Sequence, residues 1–134
     1  MTATVNDRNT AMKDGEVRVV PVAANTKIPG GTIVCVNAAG YAVPGIADTT
    51  LAYLGRAEEL ADNTGGALGA MNVQVRCSKT FKWANSVADA VTQASLGRAC
   101  YVEDNQTVAK TNGTNTRTLA GIVVQIDADG IWVK

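Results

Sequence analysis

Two pairs of adjacent carboxylates, Glu58-Glu59 and Glu103-Asp104, are by type the residues best suited to general acid/base work. Neighbours in a strand point to opposite faces, and neighbours in a turn are solvated, so neither pair is expected to converge on one substrate atom. Lys79 and Lys82 lie near Ser78 and Ser86, the residue types of a Ser/Lys nucleophile, which needs buried, converging geometry that spacing does not supply. The chain has no histidine, which removes the imidazole base, the Ser/His and Cys/His couples and His-ligated metal. Cys35, Cys77 and Cys100 form no CxxC pair and are odd in number, so neither a disulfide framework nor a zinc site is expected. They sit in strand-like phrases (IVCV, VQVRC, RACYV) and read as small core hydrophobes.

Other apparent motifs dissolve in the same way. The glycine-rich GGALG lacks the GxxxxGK[ST] or GxGxxG context of a phosphate cradle and reads as a plain loop. Asp127 and Asp129 precede Gly130, but too little chain follows to supply the remaining ligands of a calcium loop, so a hairpin turn is expected there. No catalytic residue, cofactor or metal site is therefore expected. Two Trp, three Tyr and one Phe are too few for a stacking platform that binds sugars or single-stranded nucleic acid. Phe81 and Trp83 alternate in TFKW and read as core or rim. Trp83 or Trp132 is the candidate anchor of a subunit contact, since large aromatics dominate interface energetics.

The elements that must position these groups are β-strands. The 134 residues are 46% apolar and carry 12 Lys and Arg against 12 Asp and Glu, which fits one compact domain with a real core. Zero net charge and no basic cluster argue against nucleic acid or anionic lipid as partners. From Glu16 onward short β-type runs alternate with Gly, Asn and Asp, the pattern of an all-β sandwich or small barrel. Strands are expected over 16–22, 32–37, 71–77, 98–102 and 119–126. In the third, Met71, Val73, Val75 and Cys77 share one face, and Asn72, Gln74 and Arg76 share the other.

Turns are expected at Asn37 to Gly40, at Glu103 to Asn105, and at Asp129-Gly130, where the dipeptide can supply positive φ for a tight hairpin. Pro21, Pro29 and Pro44 belong at strand ends, edges or loops. One short helix is expected over Asp89 to Leu96, capped by Gly97, and a long exposed loop over Glu58 to Gly69. Residues 1–15 (MTATVNDRNTAMKDG) are polar and read as an arm, with 16–134 as the single β-rich domain. That opening stretch lacks the apolar run of a secretory signal, and no transmembrane run follows, so a cytoplasmic site of synthesis is expected.

Read in order, GRAEELADNTGG (55–66), FKWANSVADAVTQASLGRACYVEDNQTVA (81–109) and AGIVVQIDADGIWVK (120–134) resemble the head decoration proteins of tailed bacteriophages, also called capsid cement or capsid stabilising proteins. The resemblance covers most of 16–134 and consists of strand-and-turn phrases without a catalytic signature; residues 1–15 carry no matching phrase. It implies a small β-barrel or β-tulip domain on the outer capsid surface of the virion. The partners it implies are the major capsid protein and the chain itself, usually as a homotrimer and in some phages as a dimer, with binding after the shell expands.

Within that expectation, Thr2, Ala3, Thr4 and Val5 are the candidate capsid contacts of the arm, because an extended segment can add a strand to a sheet edge of the shell protein. The competing readings are a non-viral β-sandwich binding module, adhesive or carbohydrate-binding, and a small enzyme. The first would show clustered exposed rings and a secretion route; the second, a pocket of convergent polar groups.

Overall fold

The computed structural model describes residues 2–134. Among the described residues the fold is all-β, with a single short 3-10 turn at Gln93–Ser95 as its helical content. The strands are β1 Val17–Pro21, β2 Thr26–Ile28, β3 Ile33–Val36, β4 Ala42–Pro44, β5 Ala52–Ala57, β6 Ala61–Asn63, β7 Asn72–Arg76, β8 Phe81–Asn85, β9 Ala99–Val102, β10 Thr107–Ala109, β11 Leu119–Asp127 and β12 Gly130–Val133. The first half builds an antiparallel five-stranded sheet ordered β1-β7-β5-β3-β4, with β2 and β6 pairing separately. The second half closes into a five-stranded barrel, β10-β8-β12-β11-β9, in which the β8–β10 pair is parallel and the others antiparallel.

The apolar run IVCV explains why the two halves stay together. Side chains alternate along a strand, so β3 sends Ile33 and Cys35 to one face and Val34 to the other. Ile33 and Cys35 pack with Phe81, Trp83, Cys100, Val102, Val108 and Ile131 of the barrel. Val34 packs with Ile28 of β2, Ala61 of β6, and Val73 and Val75 of β7. The sheet is thus a middle layer between the barrel and the β2–β6 pair, and a strand covered on both faces reads as a continuous hydrophobic run. β7 follows the expected alternation, with Val73, Val75 and Cys77 buried and Asn72 and Gln74 exposed.

Pro21 and Pro44 lie on β1 and β4, the two edges of the sheet, where a missing N–H costs no ladder bond. The Asn37 side chain accepts from the N–H groups of Ala39 and Tyr41, and Gly40 at φ +87° completes that turn. Residues 2–15 lie outside every strand and are exposed throughout.

Three expectations need correction. The helix over Asp89 to Leu96 is absent apart from the 3-10 turn, because Asn85 claims the backbone of Val91. Its Nδ2 donates to the Val91 carbonyl at 2.9 Å, and its Oδ1 accepts the Val91 N–H at 2.8 Å, which takes both backbone groups of that residue and keeps its side chain in the core. Gly97 does take a left-handed φ of +77°.

The exposed loop over Glu58 to Gly69 instead contains β6. Ala61 is buried, and Asn63 donates from the interior to the carbonyls of Ala23 and Ala67 at 2.9 and 3.0 Å. The β11–β12 hairpin forms as expected, but Asp127 pairs with Gly130, which leaves Ala128 and Asp129 as the turn residues. None of these four residues is at positive φ. Gly130 is required by close approach, since a Cβ there would stand 2.7 Å from Lys82 Cγ and 2.9 Å from the Trp83 carbonyl oxygen.

Candidate functional site

A concavity of about 280 Å³ opens at the seam between sheet and barrel, lined by Gly31, Arg56, Thr80, Phe81, Lys82, Trp83 and Trp132. Alternation along β8 builds its wall. Phe81 and Trp83 point inward and are buried, with ring centroids 5.7 Å apart, while Lys82 between them faces out. β12 lays Trp132 opposite Lys82, and β5 brings Arg56 across from the sheet. Each cation stands over a ring: the Arg56 guanidinium carbon is 5.2 Å from the Phe81 centroid, and Lys82 Nζ is 5.8 Å from that of Trp132. The negative ring faces help fix both charges in place.

Carboxylates hold the same cations from behind. Arg56 pairs with Glu58 at 3.0 Å, and the other oxygen of Glu58 takes Arg76 at 3.1 Å. The hydrogen bonds from Arg76 and then Arg56 hold the Glu58 carboxyl below its usual value. Lys82 pairs with Asp129 at 2.8 Å, and the Trp132 indole N–H donates to Asp127 at 2.8 Å. Hydrogen bonds from Gln125 and Trp132 lower the Asp127 carboxyl in turn.

The structure brings the two sequence-selected tryptophans to this one concavity but gives them different roles. Trp83 is 5% exposed and belongs to the barrel core, so its bulk is committed inside the chain, whereas Trp132 is half-buried at the surface. The other chemistry-bearing residues disperse. Glu58 is engaged by arginines while Glu59 is exposed; Glu103 accepts from Ser86 and Arg117, while Asp104 caps a turn through the Gln106 N–H.

Lys79 pairs with Glu16 and Lys82 with Asp129, and neither lysine hydrogen-bonds a serine. All three cysteines are free and buried, and burial pushes the Cys35 and Cys100 thiols up to about 12. GGALG is a loop, exposed except at Gly66: Gly65 donates to Asn25 Oδ1, and Gly66 lies so close to Asn63 that no Cβ fits. Among the described residues no group of three or more His, Cys, Asp or Glu is arranged to hold a metal, and no helix is long and apolar enough to cross a membrane.

Thr2, Ala3, Thr4 and Val5 are exposed, and their hydrogen bonding is local, between the Thr4 hydroxyl and Asn6. The root of the segment is pinned. Glu16 accepts from Lys79 at 2.6 Å, lies 3.7 Å from Arg76, and its carbonyl receives the Cys77 N–H at 2.7 Å. Residues 2–15 thus leave the body at the start of β1, a free edge of the sheet. A further exposed apolar row, Leu119, Ile122 and Val124, lies on the outer wall of β11.

Lys82 is marked in the sequence only as a possible Ser/Lys partner, not as a cation of this concavity, and Arg56 is not marked at all. The outward position of Lys82 was implicit in the TFKW alternation; Arg56 reaches the site through sheet topology and had no local signal. No protein-family model, curated protein or solved structure matches this chain.

Proposed function

We propose that this chain is a structural decoration, or cement, protein that binds the outer surface of an expanded tailed-phage head and bridges neighbouring major capsid protein subunits. The observation that carries the reading is the exposed segment 2–15 rooted by Glu16 at a free sheet edge of an otherwise compact all-β body. Such a segment can reach about 45 Å when extended, enough to cross from one subunit to the next. The phrases that resemble decoration proteins, 55–66, 81–109 and 120–134, take in β6 and nearly all of the five barrel strands. The engaged carboxylates and buried thiols described above favour a binding role over a catalytic one.

In this reading the arm adds a strand to a sheet edge of the shell protein, with Thr2 to Val5 as its contacts, and its ordering entropy is spent on docking. Three copies assembled on the shell would raise avidity by roughly 10² to 10⁴ over a single contact, because each later leg binds at an effective concentration near millimolar. Only the expanded lattice presents all the sites at once, so binding stabilises that state.

The test is co-sedimentation of the full chain and of a chain lacking residues 2–14 with expanded and unexpanded heads, followed by cryo-electron microscopy. The full chain should decorate expanded heads alone, and the deletion should reduce occupancy. Absence of the full chain from expanded heads overturns the cement role, and full occupancy by the deleted chain overturns arm docking.

A further inference from the structure

We propose that the seam concavity is a binding site for a carboxylate on a short stem, presented by an Asp or Glu side chain of a partner polypeptide. The inference does not depend on what that partner is.

Both cations hold donors in reserve. A guanidinium has five N–H donors and an ammonium three; Arg56 gives one hydrogen bond to Glu58, and Lys82 gives one to Asp129. The side chain of Asp129 is 74% exposed, so the pair it makes with Lys82 is a weak surface contact that an incoming carboxylate can displace. The Phe81 and Trp132 rings beneath the two charges reduce the freedom lost on binding. The rings also give the stem of an acidic side chain an apolar wall, while the planar fork of Arg56 suits two carboxylate oxygens.

The rim bears on the source of the carboxylate. The volume of about 280 Å³ lies at the small end of ligand pockets and has room for one short acidic side chain. It suits a side chain inserted from a surface laid across the seam. Gly31 on the rim has nothing within 4 Å of where a Cβ would stand, so a backbone can approach there. Trp and Arg are also the residue types that concentrate at the centres of protein interfaces.

The experiment is an NMR titration of the isotopically labelled full chain with three probes: a blocked alanine-glutamate-alanine tripeptide, its glutamine counterpart, and free glutarate. The glutamate peptide should shift the Trp132 indole N–H and the Gly31 and Lys82 amides together. The glutamine peptide and glutarate should each bind at least about tenfold more weakly, a difference of roughly 1.4 kcal/mol. Lys82→Gln and Arg56→Gln should each reduce glutamate-peptide affinity while leaving distant amides in place.

Equal binding of the glutamine peptide overturns the carboxylate assignment, and equal binding of glutarate overturns the polypeptide source. No shift at the seam up to about 10 mM glutamate peptide overturns the site itself. The comparison between probes uses the unaltered chain, so the result stands even if a variant fails to fold.

Discussion

The indole N–H of Trp83 donates to the phenol oxygen of Tyr53 at 3.2 Å, joining β8 of the barrel to β5 of the sheet. It lies against the apolar core that the two halves share, so its loss leaves a donor without a partner. Tyr53→Phe should lower unfolding free energy by about 1–2 kcal/mol, the scale of one lost hydrogen bond plus an unsatisfied buried group. Urea denaturation checks this, and an unchanged midpoint would mean that the bond contributes nothing to holding the halves together.

Buried thiols and a buried phenol set the alkaline limit. Burial raises Cys35 and Cys100 from 9.0, and Tyr53 from 10.0, each to about 12. The folded values lie above the unfolded ones, so their stabilising contribution is complete below pH 9 and is lost as pH rises toward 12. Denaturation midpoints should fall steadily over that window, and the native thiols should resist an aromatic disulfide reagent at pH 8 until denaturant is added. Rapid modification of the native chain would contradict the burial.

The acid limit has the opposite sign. Glu58 is lowered by hydrogen bonds from Arg76 and Arg56, Glu16 by Lys79, and Asp89 first by the Thr111 hydroxyl. Folded values below unfolded ones give stability that is complete above about pH 4.5 and drains as pH falls through the depressed range. Glu58 also separates two cations, because Arg56 and Arg76 are direct cross-strand neighbours. Glu58→Gln should therefore destabilise at neutral pH and flatten the acid limb, as thermal melts from pH 7 to about pH 3 would reveal.

Two glycines, both at positive φ, differ in the room around them. A Cβ on Gly55 would lie 2.1 Å from the carbonyl oxygen of Arg76, a backbone atom that cannot withdraw without breaking the β5–β7 pairing. Gly55→Ala should cost more than about 3 kcal/mol, in the range reserved for disrupted packing. Gly31 has open space around it but sits at φ +78°, so Gly31→Ala should cost only about 1–2 kcal/mol. Matched chemical denaturation curves would rank them, and a reversed order would refute the geometry.

Removing residues 2–14 should leave stability within about 0.5 kcal/mol of the full chain, since that segment is exposed and bonds only locally. Calorimetry of both chains checks this, and a large loss would show that the segment packs on the body.

Much of this architecture was legible where local pattern and tertiary role agree. β7 alternates cleanly because one face is covered, and β3 reads as a solid apolar run because both are. Illegibility has three physical sources. β2 and β6 are three residues each and gain their pairing from a segment far along the chain, so TKI and ADN carry no period to detect. β5 is interrupted by Gly55, which looks like a break until the neighbouring strand is known. The absent helix was decided by the side chain of Asn85, outside the window in which helical pattern is judged. At the candidate site, the tryptophans were visible as residue types. The cations that complete it come together only through the pairing of distant strands.

The position of β12 between β8 and β11 dictates an order of assembly on the ribosome. The sheet is complete once residue 76 has emerged, and it can begin to fold while translation continues. The barrel must wait until residues 130–133 clear the exit tunnel, and until then Phe81 and Trp83 lack the strand that covers them. A stalled or prematurely released nascent chain would therefore expose those rings, and these are the intermediates on which chaperones would be expected to act.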